Sequence, residues 1–215
     1  MRDAGGTERQ PGGSSQRRAP AVGAVGAPGA AGIAPANATI NVTLAPPITL
    51  GAVAGVGRNL QQNLSGSLGA AAPPPFGVDV TITSADPSRL LLSTNPATVG
   101  SASITIPVLG NASAIGQFYL QALDGSGAVD ITASADGYAD FIRSVPLAPS
   151  GFIINNPGNF NTTTFSANTN VQISSARLNP ATLAYAGNQE VRPGVSVEVP
   201  VTSVPSRIYM PCAQG

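Results

Sequence analysis

Four stretches of this chain place an apolar side chain at every second position, and no other feature of the sequence constrains the fold as much. Residues 77–84 set Val78, Val80 and Ile82 against Asp79, Thr81 and Thr83, and residues 101–107 set Ala102, Ile104 and Ile106 against Ser103 and Thr105. Residues 117–123 set Phe118, Leu120 and Ala122 against Gln117, Tyr119 and Gln121. Residues 128–135 set Val129, Ile131, Ala133 and Ala135 against Asp130, Thr132 and Ser134. A helix would scatter these side chains around its axis, whereas an extended strand sends alternate side chains to opposite faces. Each stretch therefore predicts a strand with one dry and one wet face.

Turn formers fall between the strands. Ala72 with Pro73, Pro74 and Pro75, Asp86-Pro87-Ser88, Gly110-Asn111, Asp124-Gly125-Ser126-Gly127 and Asp136-Gly137 mark the reversals. Weaker strands are expected at 48–53, 60–68, 89–93 and 138–145, which with the others makes the pattern of many short strands typical of a sandwich. Of 215 residues, 42% are apolar and 9% charged, too apolar and too uncharged for a wholly disordered chain. No apolar run is long enough to span a bilayer as a helix.

Missing residue types remove whole chemistries. The chain has no His and one Cys, and all ten of its basic residues are Arg. A Ser-His-Asp triad, a Cys-His pair, a zinc site of the usual ligands, a Walker A lysine and a Schiff-base lysine are all impossible. Four of the arginines lie in the first eighteen residues and the other six are widely spaced, so there is no basic stripe for nucleic acid. Cys212 has no second cysteine to pair with, and no cofactor site is expected.

Residues 1–45 read as a disordered tail rich in Ala, Gly and Pro; Pro20, Pro28 and Pro35 interrupt any signal-peptide core. Residues 46–149 read as one sandwich, and 150–215 as a linker followed by an incomplete second one. The joint is placed at Pro146, Pro149 and Gly151. A short repeat supports a second copy. Pro47, Ile48, Thr49 and Leu50 precede a strand with Leu60, Leu64 and Leu68; Pro180, Ala181, Thr182 and Leu183 precede one with Val195, Val197, Val199 and Val201. Residues 155–170, rich in Asn and Thr, read as a loop or weak hairpin. A sandwich short of strands exposes unpaired edges, so either the chain is a piece of a longer repeat protein or another chain completes it.

The run Gly77-Val78-Asp79-Val80-Thr81-Ile82-Thr83-Ser84, the following Asp86-Pro87-Ser88-Arg89-Leu90-Leu91-Leu92-Ser93, the run Ser101-Ala102-Ser103-Ile104-Thr105-Ile106 and the stretch from Gly127 to Tyr138 resemble the bacterial immunoglobulin-like repeats found in tandem in secreted and cell-surface proteins. The resemblance covers about residues 47–149, and 171–203 as an incomplete copy. It implies an immunoglobulin-like β-sandwich acting outside the cell as a non-catalytic spacer or adhesive module, with adjacent modules or a protein or glycan surface as partners. It carries no catalytic, cofactor or metal motif. The paired cysteines and core tryptophan of antibody domains are absent, so the core must rely on small aliphatics with Phe118 and Phe141.

The carboxylates offer the remaining chemistry. Asp124, Asp130, Asp136 and Asp140 are close in sequence and suit acid/base hydrolysis or calcium between modules. Turn formation by Asp124 and Asp136, and a wet strand face for Asp130, explain them without either. Asn37, Asn41, Asn63, Asn111 and Asn161 begin Asn-x-Ser/Thr sequons, which an Asn- and Thr-rich chain also produces by coincidence. The aromatics Phe76, Phe118, Tyr119, Tyr138, Phe141, Phe152, Phe160, Phe165, Tyr185 and Tyr209 would make a sugar-stacking platform if several shared a face. Phe118 falls on the apolar face of its strand and Tyr119 on the other, which favours core packing over a platform. The second functional expectation, a carbohydrate-binding accessory module, needs an exposed aromatic row, with Tyr119 as its candidate, or a calcium-ordered loop.

Overall fold

The computed structural model describes residues 43, 46–156, 165, 167 and 170–200. The expectations for the tail other than Thr43, for most of the 155–170 loop, for Val201, for Phe160, Tyr209 and Cys212, and for the sequons at Asn37, Asn41 and Asn161 lie outside these residues. The described residues belong to one compact unit, Thr43–Gly215.

The protein is all-β. Its strands are β1 (Thr49–Leu50), β2 (Val56–Gly57), β3 (Leu60–Ser67), β4 (Val78–Ser84), β5 (Leu90–Ser93), β6 (Ser103–Val108) and β7 (Ala114–Ala122). They continue with β8 (Ala128–Ala135), β9 (Phe141–Ala148), β10 (Ser150–Asn156), β11 (Gln172–Leu178), β12 (Tyr185–Asn188) and β13 (Glu190–Val191). One sheet runs β1-β3-β7-β5, with β13 also pairing β3; a second runs β2-β9-β8-β4-β6; a third runs β10-β11-β12.

The first two sheets form a β-sandwich-like pair that shares one core. Val80, Ile82, Ile131 and Val145 from the second sheet and Leu90, Leu92, Phe118 and Leu120 from the first are all fully buried in a single cluster. In β4 and β8 the expected faces are the observed ones: Val80, Ile82, Val129, Ile131 and Ala133 are buried while Asp79, Thr83 and Asp130 are exposed. Phe141 packs at the margin of the core, with the Arg143 guanidinium 5.2 Å from its ring centroid. Arg143 also donates to the Leu50 carbonyl at 2.6 Å and so ties β9 to β1 across the two layers.

Some local expectations differ from the structure. Of the strand expected at 48–53, only Thr49–Leu50 forms, as β1. The strand expected at 138–145 runs from Phe141 to Ala148, because the Asp136-Gly137 reversal extends through Tyr138. The Tyr138 hydroxyl donates to the carbonyls of Ala70 and Ala71 at 3.1 and 3.0 Å and holds that corner down. Pro146 is therefore a strand residue, and the expected boundary at residue 149 falls between β9 and β10. Ala102, expected to face inward, is exposed just before β6 begins. The strand expected around Val195, Val197 and Val199 does not form in residues 195–200, which carry no regular structure.

Glycine is required where the chain leaves the Pro73-Pro75 turn. Gly77 has φ +78°, and a β-carbon there would collide with the Val108 carbonyl oxygen on the neighbouring strand. The close approach lets Val78 pair with Val108 at the first register position of β4 and β6.

Candidate functional site

The acidic candidates are not assembled into a centre. Asp124 accepts from the Gly125 amide at 2.7 Å and pairs with Arg89 Nε at 2.9 Å. The Gly125 hydrogen bond first, and the Arg89 guanidinium second, hold its carboxyl below the usual carboxylate range. Arg89 donates in addition to the Ser126 carbonyl, so this pair closes the β7–β8 turn. Asp130, Asp136 and Asp140 are exposed. Among the described residues no three His, Cys, Asp or Glu side chains come together. Of the described sequons, Asn63 and Asn111 are both exposed.

A different set of residues does converge, on the outer face of the first sheet. Strand register places Glu190, Gln61 and Gln121 side by side on β13, β3 and β7, and Asn63, Tyr119 and Ser93 side by side on β3, β7 and β5. Gln121 is fully buried although its alternation assigns it to the wet face. The loop after β5 covers it. Gln121 Nε2 donates to the Thr98 carbonyl at 2.9 Å and to Gln61 Oε1 at 3.3 Å, and its Oε1 accepts from the Gly100 amide at 2.9 Å. Gln61 Nε2 in turn donates to the Pro96 carbonyl at 3.0 Å and to Glu190 Oε2 at 3.4 Å. Burying two amides costs little when each polar atom is used in this way. The covering loop is itself held by an Asx turn: Asn95 Oδ1 accepts from the Ala97 amide at 2.8 Å, and Ser93 Oγ donates to the Asn95 carbonyl at 2.7 Å.

The result is a polar groove of about 330 Å³ with Tyr119 as its aromatic wall. Among the described residues, Glu190 is its one charged lining residue and Pro96 its one aliphatic lining residue. A second hollow of about 310 Å³ lies alongside, sharing Gln62, Asn188 and Gln189 with the first. Gln189 separates the two. Its Nε2 donates to the Gly55 carbonyl at 2.8 Å and to Gln62 Oε1 at 3.1 Å, and its Oε1 accepts from the Gly57 amide at 2.8 Å. One side chain thus pins the segment between β12 and β13 onto β2 and β3.

No protein-family model matches the chain, and a search of curated proteins gives no match. The groove offers amide, phenol and carboxylate groups. Tyr119 and Asn63 stand out in the sequence, as an aromatic and as the start of a sequon; Gln61, Gln62, Pro96, Asn188, Gln189 and Glu190 do not. The signal that points to them is a glutamine run, Gln61-Gln62-Asn63, opposite Gln121, and the Asn188-Gln189-Glu190 sequence far downstream.

Proposed function

We propose that the chain is a non-catalytic, immunoglobulin-like unit of a bacterial secreted or surface protein that spaces or attaches other modules. The strand order supports the immunoglobulin-like part: β1-β3-β7-β5 follows the A-B-E-D order of constant-type domains, and β9-β8-β4 follows G-F-C. The chain departs from that pattern at β6, an added strand between β5 and β7 that pairs β4 at the edge. Display outside the cell rests on the resemblance carried by residues 77–93, 101–106 and 127–138, and protease added to intact producing cells should remove the chain.

The observation that carries the spacer reading is the parallel pairing of β2 with β9, Val56 opposite Leu147 and Gly57 opposite Ala148. The Arg58 amide extends it by donating to the Ala148 carbonyl at 2.8 Å. Tension applied through the two ends of the unit pulls these strands in opposite directions along their length. The hydrogen bonds are then loaded together instead of peeling one at a time. Pulling from the C-terminal side first meets β13 on β3 and the Gln189 contacts.

Single-molecule stretching of the full chain tethered at its ends tests this. The expected trace has an early small extension as β10–β13 release, then one abrupt event as β2 and β9 part, with a lower rupture force in Arg58→Pro. Gradual extension without a force peak refutes the load-bearing reading.

A further inference from the structure

We infer that the groove walled by Tyr119 is a binding site for a neutral saccharide. This is independent of the spacer reading, since it rests on the outer face of the first sheet and not on the β2–β9 pair. The groups left over after internal bonding define the ligand. The Tyr119 hydroxyl and the Asn188 side chain line the groove and make no hydrogen bond within the described structure. Asn63 Oδ1 accepts from Gln62 Nε2 at 3.0 Å, which leaves its own amide nitrogen to donate outward. Glu190 engages through Oε2, which leaves Oε1 to accept. A phenol, two side-chain amides and a carboxylate oxygen therefore supply donors and acceptors at spaced positions around one aromatic ring. Hydroxyl-rich rings need that mixture, because each hydroxyl both gives and receives a hydrogen bond and the C–H face of a sugar lies against an aromatic surface.

Other ligand classes fit poorly. Among the described residues no arginine lines the groove, so phosphate, sulfate or uronate groups find no counter-charge there and meet Glu190 instead. With Pro96 as the one aliphatic lining residue, a lipid or apolar peptide would have almost nothing to bury. The volume of about 330 Å³ lies at the small end of ligand clefts, suited to a short stretch of sugar chain. The floor is also rigid before any ligand arrives. Gln61 is locked to the covering loop and Gln189 to the backbone of Gly55 and Gly57, so the ordering that opposes binding falls on Asn63, Tyr119 and Asn188 alone.

Native affinity electrophoresis of the full chain tests the proposal, using gels that contain hydroxyethylcellulose, galactomannan or soluble starch, and polygalacturonate as the acidic comparison. At least one neutral polysaccharide should retard the protein. Tyr119→Ala should weaken that retardation about tenfold or more, as expected for loss of a central aromatic contact. Asn188→Ala, an exposed change that cannot disturb the core, should weaken it too, while Phe76→Ala, at a 94% exposed position that does not line the groove, should not. If Tyr119→Ala loses its strand circular-dichroism signal, Asn188→Ala alone decides, and undiminished retardation in it overturns the site. Absence of retardation by every neutral polymer, or retardation by polygalacturonate alone, also overturns it.

Discussion

Removing the Gln189 side chain should loosen the segment from β11 to β13 while leaving the sandwich intact. In Gln189→Ala the Gly57 amide and the Gly55 carbonyl, both on buried residues, lose their partner, as does Gln62 Oε1. An orphaned buried backbone group costs about 1–3 kcal/mol, and a partly exposed side-chain bond about 0.5–1.5 kcal/mol. The hollow beside Gln189 admits water to these groups and lowers the penalty for each, which brings the total just below the smallest sum of these terms, to about 2 kcal/mol. That corresponds to roughly a thirtyfold rise in the local opening constant. Hydrogen exchange read by mass spectrometry resolves the segments. Peptides covering β2 and β11–β13 should exchange roughly thirtyfold faster, while those covering β4 and β8 keep their protection. Gln62→Ala, which removes one of the three bonds, should give a smaller change. Equal acceleration in β4 and β8 would show that Gln189 supports the whole fold, and unchanged exchange in β12 and β13 would show that these contacts hold nothing. Either result refutes the argument.

Gly77→Ala should destabilise the unit by about 3 kcal/mol or more, since left-handed strain adds to a collision with the Val108 carbonyl, and the urea midpoint should fall accordingly. Tyr138→Phe keeps the buried ring but removes the hydroxyl that serves Ala70 and Ala71, and should cost about 1 kcal/mol in equilibrium unfolding. Because the folded state holds Asp124 below the ordinary carboxyl range, its contribution is complete above that range and disappears as pH falls through the lowered value. Wild type and Asp124→Asn should therefore differ in urea midpoint at neutral pH and converge in strong acid; a gap that widens on acidification would contradict the Arg89 and Gly125 assignment.

The sandwich was legible where burial is decided by each strand's own alternation. β8 begins and ends at the expected residues, and β4 differs by one, because both lie inside a sheet with a strand on either side and a core beneath. Local pattern failed where a distant segment changes the environment. Gln121 alternates as a solvent residue, yet the loop through Pro96, Thr98 and Gly100 seals it over. Pro146 reads as punctuation, yet it lies within β9, opposite Ala128 on β8. The groove was the least legible part. Gln61, Pro96, Tyr119 and Glu190 meet only after three strands and a loop have found their register, and no spacing rule anticipates that.

The parallel β2–β9 pair has a consequence for biogenesis. Its halves lie near opposite ends of the sandwich, Val56 early and Ala148 late. A chain emerging from the ribosome can close the β4–β6 pair early, but β2 has no partner until β9, the last strand of that sheet, has cleared the exit tunnel. Until then one edge of the second sheet is bare. Chaperone dependence, and susceptibility to clumping in stalled or shortened nascent chains, should therefore change abruptly once residues 141–148 are free to dock.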